Sequence, residues 1–510
     1  MARSDVLIVG AGPTGLVLAL WLTRLGVSLR IIDSAACAGT TSRALAVQAR
    51  TLELYRQLDL TARVLERGYR VPAVSLWVEG ERRARLPFEN IGGQLTAYPF
   101  LEIFPQDEHE LLLIERLAAA GVRVERGCTL LDFTAAGDGV RARLQRTDGT
   151  QEQIEAKYIA GCDGARSRVR ELIGTGFPGG TYRQLFYVAD IRGQGPAFNG
   201  ELNVDLDEAD FLAVFPLAAV GRARLIGTVL EDPAGAGRAL SFEDVSPRAL
   251  RSLKLRVEQV HWFSTYHVHH RVTARFRHGR ALLLGDAAHI HSPAGGQGMN
   301  TGIGDAINLA WKLAAVLAGS APETLLDSYE AERMPFAERL VQTTDRVFSF
   351  ATADGPIAEL VRTRLAPLVL PRAVAFESVR EFIFRTVSQI MINYRGRPLS
   401  EGSAGSVHGG DRLPWVNAGG ADNYAPLSEP CWQIQVYGEG SASLRGFGDS
   451  HGLRVRAYAF TPQHEAAGLA RGAMYLLRPD TYVALAAPRA DPALLEGYFA
   501  VRGIAPGGAQ

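Results

Sequence analysis

Three glycines near the start of the chain have the type and spacing needed to hold a phosphate group. Gly10, Gly12 and Gly15 follow an apolar run that predicts a strand, and an apolar run that predicts a helix comes directly after them. The first glycine permits a tight turn, the second lets the backbone approach a pyrophosphate, and the third allows close packing of helix on strand. Pro13 and Thr14 complete the turn at the helix N-terminus, whose N–H groups attract negative charge. The segment predicts a dinucleotide site.

The next element supplies an acid where such a site needs one. A second apolar run at 28–32 predicts a strand, and Asp33 ends it. A carboxylate at this strand end can accept hydrogen bonds from the hydroxyls of an adenosine ribose. Strand, glycine turn, helix and strand predict the start of a doubly wound α/β sheet. These residues alone do not separate NAD from FAD.

Two further segments carry the information that separates the two cofactors. Residues 161–170 have the sequence GCDGARSRVR, and residues 279–314 have the sequence GRALLLGDAAHIHSPAGGQGMNTGIGDAINLAWKLA. Together with VGAGPTGL at 9–16, they closely resemble the class A flavoprotein monooxygenases, the family of para-hydroxybenzoate hydroxylase, phenol hydroxylase and the polyketide hydroxylases. The motifs occur in the family's order, and the resemblance extends over the whole chain. It implies an FAD-dependent enzyme.

The resemblance gives several residues a role at the cofactor. Asp286, at the end of a predicted strand, is expected to bind the ribityl hydroxyls of the flavin. A long helix that begins near Met299 makes Gly298, Met299 and Asn300 candidate stabilisers of the negative charge on the reduced flavin. Asp163 is also predicted to cap a helix, and both roles can hold together. The remaining cofactor contacts implied by the resemblance are Arg43, Gln106, Asp163 and Pro293.

Resemblance and periodicity together predict an α/β protein of four regions. Period-two alternation at 201–206 predicts a sheet with one solvent-exposed face, and glycine with serine at 400–410 predicts a linker. The regions are a discontinuous Rossmann-like FAD-binding domain (1–178 and 276–345), an inserted mixed β-sheet substrate-binding domain (179–275), a helical segment (346–400) and a C-terminal thioredoxin-like domain (401–510).

The last region resembles the C-terminal domain of phenol hydroxylase relatives, notably in MYLLRPDTYVAL at 474–485. Its only cysteine is Cys431, so it has no CxxC pair with which to perform dithiol chemistry. A role in packing or as the contact surface of a homodimer is expected instead.

The inserted sheet is expected to cover the flavin with apolar and aromatic side chains, because water would divert the reaction toward hydrogen peroxide. A phenol reacts faster as phenolate, so His267 or His269 is a candidate base; the alternative is that each is an ordinary sheet residue. Seven of the 11 histidines gather at 261–291, but their spacing completes no familiar ligand set, so no metal is predicted. By residue type, the predicted pocket residues are Tyr98, Tyr187, Phe211 and Phe215.

The chain lacks a second strand–GxGxxG–helix unit, so the resemblance implies that NADPH or NADH docks only transiently. The implied reaction passes through a C4a-hydroperoxyflavin, formed with O2, that hydroxylates a phenolic or polyketide-type aromatic molecule. A Baeyer–Villiger oxygenase or an epoxidase would share every motif. A flavin dehydrogenase or oxidase, or a non-catalytic FAD-binding protein, are the alternatives outside this chemistry.

Charge and composition argue against other classes of protein. Lys+Arg and Asp+Glu both number 54, so no overall field attracts nucleic acid or an anionic membrane. The apolar stretch at 6–22 contains the glycine turn and lacks the flanks of a signal peptide or membrane span. The 4 cysteines are scattered, as in a reducing compartment. A cytoplasmic location is therefore expected, with no nucleic-acid or membrane partner.

Overall fold

The computed structural model describes residues 2–39, 44–205, 211–229, 240–245, 247–292, 296–352 and 376–507. Two residues of the predicted cofactor site, Arg43 and Pro293, lie outside the described residues. Within them, no helix is both long and apolar enough to cross a membrane. The α-helices are α1 (Pro13–Arg24), α2 (Ala49–Tyr55), α3 (Thr61–Arg67), α4 (Glu89–Gly92), α5 (Gln106–Ala119), α6 (Arg168–Ile173), α7 (Pro247–Ser252), α8 (Gly298–Leu317), α9 (Asp327–Thr352), α10 (Glu377–Val387), α11 (Ala442–Ser450), α12 (Pro462–Ala466) and α13 (Pro492–Arg502).

The first sheet confirms the predicted Rossmann-like opening. Its strands β18, β11, β1, β2 and β8 lie side by side in that order and run parallel, while β17, β10 and β9 extend it antiparallel. Both faces of a parallel sheet are covered by helices, which is why the second half of β1, residues 6–9, is an apolar run whose side chains are all buried. The strands are β1 (Ala2–Val9), β2 (Leu29–Asp33), β8 (Val124–Arg126), β9 (Cys128–Ala136), β10 (Gly139–Arg146), β11 (Gln151–Gly161), β17 (Arg277–His278) and β18 (Ala281–Leu283).

The carboxyl ends of these parallel strands meet at one edge, here called the cofactor edge. Val9 is in register with Gly161, and Gly161 is in register with Leu283. On the other side of β1, Asp33 is in register with Arg126. The three sequence motifs therefore begin at neighbouring points of a single sheet edge.

The second sheet is larger than the region predicted for it. Its order is β19-β16-β12-β15-β14-β13-β5-β6, and β5 and β6 come from residues 73–87, far from the predicted boundaries of 179–275. They join because β5 pairs parallel with β13. The strands are β5 (Ala73–Val78), β6 (Glu81–Pro87), β12 (Gly179–Gln194), β13 (Leu202–Asp205), β14 (Leu212–Pro216), β15 (Arg222–Val229), β16 (Arg256–Val272) and β19 (His289–Ile290).

The two faces of this sheet have different surroundings. The outer face packs beneath α7 and includes Tyr187, Leu225 and Phe263. The inner face packs against the first domain, and its partners there include Leu101 and Ile103. The inner face consists of Tyr182, Phe186, Val188, Leu202, Phe211, Phe215, Ile226, Trp262, Tyr266 and Val268.

The prediction of a solvent-exposed face at 201–206 is wrong for β13. Asn203 and Asp205 are buried, and so is Glu201 just before the strand. Because β13 lies between β14 and β5, its polar side chains find partners within the sheet: the indole of Trp77 donates to Asn203 at 2.8 Å, and Ser75 donates to Glu201 at 2.6 Å.

A small third sheet, β3 (Ala46–Val47), β7 (Leu101–Ile103) and β4 (Tyr69–Val71), lies between the first two. Its strand β7 sends Leu101 and Ile103 toward the inner face, so the intervening Glu102 points the other way, into the protein interior. Glu102 is fully buried, and its carboxylate oxygens accept no hydrogen bond from the residues that the structure describes. Burial raises the pKa of Glu102 to about 8.

The C-terminal region forms the predicted thioredoxin-like domain. Its sheet has the order β21-β20-β27-β26-β24-β25, with helices α11 and α13 packed against each other. The segment at 400–410 is not a linker, because β20 and β21 already belong to this sheet. The strands are β20 (Glu401–Ala404), β21 (Val407–His408), β24 (Gln433–Tyr437), β25 (Arg454–Tyr458), β26 (Met474–Leu477) and β27 (Val483–Ala487), with a separate hairpin of β22 (Asn417–Ala418) and β23 (Ala421–Asp422).

We expect Glu102 to make stability depend on pH. In the unfolded chain its carboxyl ionises near its ordinary pKa of 4.5, but in the folded protein it keeps its proton up to a pKa of about 8. The folded state therefore loses stability as pH rises between these values, by up to roughly 1.4 kcal/mol per pH unit. Glu102→Gln cannot ionise, so its unfolding midpoint should rise relative to the wild type as the buffer goes from pH 5 to 8. A difference that stays constant with pH would contradict this account.

Candidate active site

The first glycine turn packs closely against neighbouring backbone at Gly10 and Gly15 and faces open space at Gly12. Gly10 has a φ of 101°, and a side chain there would begin 2.3 Å from the carbonyl oxygen of Cys162. A side chain at Gly15 would begin 2.0 Å from the carbonyl oxygen of Gly10. At Gly12, in contrast, nothing lies within 4 Å, and α1 begins at the next residue. An anion can therefore sit at Gly12, before the N-terminus of α1.

Asp33 is fixed beside this turn. Its Oδ2 accepts the N–H of Ala11 at 2.7 Å, and its Oδ1 accepts the N–H of Ala35 at 2.8 Å. Each carboxylate oxygen can accept more than one hydrogen bond, so Asp33 can still bind a hydroxyl. Gln106 is the first residue of α5, and its side-chain amide donates to Glu110 at 2.8 Å.

Asp163 lies next to Gly10, and its carboxylate accepts hydrogen bonds from the start of the helix that follows it. Its carboxylate accepts the hydroxyl of Ser167 at 2.5 Å and the N–H groups of Arg168 at 2.6 Å and Val169 at 3.1 Å. The predicted capping role is therefore present, although the N-cap residue of α6 is Ser167 and not Asp163. Burial raises the pKa of Asp163.

Thr14 brings the first and third motifs together. A side chain at Gly285 would begin 2.7 Å from the Thr14 hydroxyl, and one at Gly302 would begin 2.3 Å from it. Helix α1, the turn after β18 and helix α8 can therefore meet only because both positions are glycine. Within that turn Gly285 is buried and Asp286 is exposed, so Asp286 presents its carboxyl group at the cofactor edge.

A buried acid that sequence analysis missed holds this turn in place. Oδ2 of Asp305 accepts the N–H of Gly285 at 3.0 Å and contacts Nε2 of His289 at 2.7 Å, while Oδ1 accepts from Nε of Arg333 at 2.6 Å. Burial opposes ionisation of Asp305, yet Arg333 and His289 keep its pKa below the ordinary value. One signal was available: in the α8 sequence, Asp305 and Lys312 are the only charged residues.

The N-terminus of α8 offers backbone donors and not the Asn300 side chain. Gly298, Met299 and Asn300 are its first residues, so their N–H groups have no acceptor within the helix. The Asn300 amide is fully used elsewhere: its Oδ1 accepts from the N–H of Gln48 at 2.9 Å and from Thr51 at 2.8 Å, and its Nδ2 donates to backbone carbonyls. It fixes the start of α8 to β3 and to the first turn of α2.

A second residue that sequence analysis missed lies beside this helix start. His291 is buried, and its Nδ1 donates to the carbonyl oxygen of Ser292 at 2.8 Å. Burial lowers the pKa of His291 to about 4, so the ring is neutral and its Nε2 is an acceptor. Nε2 accepts no hydrogen bond from any described residue, and it lies 3.8 Å from where a side chain on Gly298 would begin.

The four predicted pocket residues lie in different parts of the structure. Phe211 and Phe215 lie on the inner face, but Tyr187 lies on the outer face, where its ring stacks on Phe263 with the ring centres 6.0 Å apart. Adjacent residues of a strand point to opposite faces, so the neighbouring Phe186 belongs to the inner face instead. Tyr98 packs near α10, in a different apolar cluster.

The two predicted bases, His267 and His269, lie on the same side of the sheet as Tyr187. His267 is in register with Leu185 of the outer face, and it is exposed. His269, two residues further along β16, contacts the hydroxyl of Thr181 at 2.7 Å. Val268, between them, belongs to the inner face, so His267 and His269 point away from it. The alternation places His270 on the inner face, where its ring meets Tyr182 at 4.9 Å.

A buried ion pair adds charge to the inner face. Arg224 contacts Asp190 through two hydrogen bonds of 2.6 and 2.8 Å, and its guanidinium lies 5.5 Å from the Trp262 ring centre.

As for metals, the one group of ligand-type side chains found close together in the described ranges contains Glu125 and Glu152. Both are already paired with arginines, so we infer no metal site there.

We expect Asp305→Asn to loosen both the fold and the flavin. The substitution keeps the volume but leaves the Arg333 guanidinium buried without a counter-charge, which costs about 3–5 kcal/mol for buried pairs. The unfolding midpoint, followed by circular dichroism, and the temperature of FAD release, followed by flavin fluorescence, should both fall. Asp327→Asn is the matched control, because Asp327 is 68% exposed in its pair with Arg277. Equal midpoints for the two variants would contradict the role of Asp305.

Comparison with known proteins agrees with this geometry. The FAD binding domain family model matches residues 3–344. The chain is 34% identical to 6-methylpretetramide 4-monooxygenase of Streptomyces rimosus, with 96% of this chain and 92% of the relative covered. It is 32% identical to pentachlorophenol 4-monooxygenase of Sphingobium chlorophenolicum, with 81% and 76% covered.

Solved structures give the same result. The anhydrotetracycline hydroxylase OxyS from Streptomyces rimosus superposes with a TM-score of 0.77 at 28% identity, covering 99% of both chains. CabE, an aromatic hydroxylase from angucycline biosynthesis, superposes with a TM-score of 0.76 at 28% identity, covering 98% of this chain and 99% of CabE. The chain therefore belongs to the class A flavoprotein monooxygenases, and it is an FAD-dependent aromatic monooxygenase.

Proposed function

We propose that this enzyme uses NADPH or NADH and O2 to hydroxylate a phenolic or polyketide-type aromatic molecule that binds between the cofactor edge and the inner face. One observation carries the proposal: three motifs converge at one edge of the first sheet, and an aromatic face of the second sheet packs against the same domain. Bound FAD supplies the redox chemistry, because it accepts electrons from a reduced nicotinamide and passes them to oxygen.

The residues at the cofactor edge fit FAD. The open space at Gly12, before Pro13 of α1, suits the pyrophosphate, and Asp33 suits the adenosine ribose. Asp286 suits the ribityl chain, because it is the exposed acid of a turn whose neighbouring glycine is buried. The further cofactor contacts that we keep as part of the proposal are Arg43, Gln106, Asp163 and Pro293.

The start of α8 suits the charged edge of the reduced flavin. The N–H groups of Gly298, Met299 and Asn300, together with the helix dipole, place partial positive charge at one point. Charge of that kind stabilises an anion that forms during the reaction, and it needs no reorganisation because the helix is held by Asp305. The Asn300 amide acts only indirectly, by fixing the helix start.

The inner face is suited to binding an aromatic molecule and excluding water. Phe186 and Tyr266 are cross-strand neighbours with ring centres 5.8 Å apart, and Phe211 and Phe215 extend the surface. Aromatic rings bind other rings by stacking and edge contacts. Of the histidines on β16, His270 is the one that we now assign as candidate base for a phenol.

Two predictions about the setting of the enzyme remain proposals. Since Cys431 is the only cysteine of the C-terminal domain, which therefore has no dithiol, this domain is assigned to packing or to a homodimer contact. A cytoplasmic location follows from the scattered cysteines and from the use of a reduced nicotinamide.

The proposed reaction can be tested with one isotope experiment. Purified holoenzyme is mixed with NADPH or NADH, 18O-labelled O2 and a panel of phenols and polycyclic polyketide aromatics. We expect a productive substrate to accelerate flavin reduction and to gain one labelled oxygen atom at an aromatic carbon. Label inserted beside a carbonyl carbon would indicate Baeyer–Villiger chemistry, and an epoxide would indicate epoxidation. Hydrogen peroxide without labelled product, across the panel, would indicate an oxidase and overturn the proposal.

A pair of adjacent residues tests the role of the inner face. Phe186→Leu opens the inner face, so water should divert more of the reducing equivalents, and we expect about a two- to fivefold larger peroxide yield per NAD(P)H consumed. Tyr187→Phe changes the next residue, which lies on the outer face, and should leave the peroxide yield unchanged. Equal uncoupling by both variants would show that the inner face has no special role. Peroxide is measured with a peroxidase-coupled dye, alongside NAD(P)H absorbance.

A further inference from the structure

One arginine at the cofactor edge is only partly paired within the fold. Arg126 ends β8, in register with Asp33 at the end of β2. Its Nη1 lies 3.5 Å from Oδ2 of Asp33, and its side chain is only 18% exposed. Its Nη2 is buried and donates to no acceptor among the residues that the structure describes. A buried guanidinium N–H without an acceptor is unfavourable, so this position favours a ligand that supplies one.

The order of the strands shows which part of FAD would lie there. Gly12, after β1, marks the open space for the pyrophosphate, and Asp33, after β2, lies beside it. Strand β8 is the next strand outward, and adjacent strands are about 4.8 Å apart. A dinucleotide that runs along this edge from Gly12 past Asp33 therefore brings its adenosine end to Arg126.

We propose that Arg126 binds FAD directly, by donating from Nη2 to an acceptor atom of the adenosine half, a ribose oxygen or an adenine nitrogen. Adenosine offers several such acceptors, and a guanidinium presents its N–H groups in a planar fork that can serve Asp33 and the ligand together. Arg126 lies in none of the three sequence motifs, so motif comparison alone does not find it. The inference depends on FAD binding and not on the oxygenation chemistry proposed above.

The test measures cofactor release from the purified holoenzyme. On dilution, free FAD is followed by its fluorescence, and Arg126→Met should release FAD about 10- to 100-fold faster, as expected for loss of a hydrogen bond from a charged group. Arg123→Met is the matched control, because Arg123 is exposed just before the same strand. Arg126→Lys retains the charge beside Asp33 and should give an intermediate rate. Unchanged release from Arg126→Met would overturn the proposal.

Two further measurements separate direct contact from an effect through Asp33. FMN lacks the adenosine half of FAD. The apoproteins of the wild type and of Arg126→Met should therefore bind FMN with equal affinity. The double variant Asp33→Asn/Arg126→Met should release FAD faster than Asp33→Asn alone. Equal weakening of FMN and FAD, or a double variant no faster than Asp33→Asn, would overturn the direct contact. Circular dichroism confirms that each variant is folded, and failure to hydroxylate any substrate would leave these results unaffected.

Discussion

The buried carboxylate of Asp305 is the contact on which the rest of the site depends. It binds the backbone of Gly285, the ring of His289 and the guanidinium of Arg333, so it joins the turn after β18, helix α8 and helix α9. Arg333 in turn donates to the carbonyl oxygen of Thr301 in the first turn of α8. The exposed acid of the turn and the donors of the helix start are therefore held in one rigid unit, and a rigid unit stabilises developing charge without reorganising.

A second buried network explains why a thioredoxin-like domain without a dithiol is retained against this unit. Arg478 pairs with Glu332 of α9 at 2.6 Å and with Asp480 at 2.5 Å, and Lys312 of α8 reaches Glu332 at 2.8 Å. Burial alone would raise the pKa of Glu332, but Arg478 and Lys312 hold it at about 2. Because buried charges are tolerated only when they are paired, removing the domain would take away Arg478 and leave the buried Glu332 with Lys312 as its remaining cation. Through Arg478, the C-terminal domain thus stabilises the contact between α8 and α9, the two helices that Asp305 joins.

Sequence predicted the cofactor edge well because its signals are local. Gly10, Asp33 and Asp286 each follow a strand that is recognisable by itself, so the sheet edge where they meet could be inferred. The faces of the second sheet could not. Tyr187 was assigned by residue type, and type does not show which face of a strand a side chain occupies: Tyr187 lies on the outer face, and its neighbour Phe186 lies on the inner face. The buried Asn203 misled for a different reason: its partner Trp77 comes from a strand more than a hundred residues away.

This difference follows from what each part of the site is made of. The cofactor edge works through backbone N–H groups, helix ends and missing side chains, as at Gly12 and Gly302, so few residue types are compatible with it and its sequence is recognisable. The inner face works through side chains from several strands, and many aromatic and aliphatic combinations fill such a surface equally well. At the cofactor edge the constraint is steric exclusion of side chains, whereas at the inner face it is only the total side-chain volume. A sequence of this kind therefore identifies its cofactor directly, whereas the shape of the surface that faces the substrate is set by packing between strands that lie far apart in the chain.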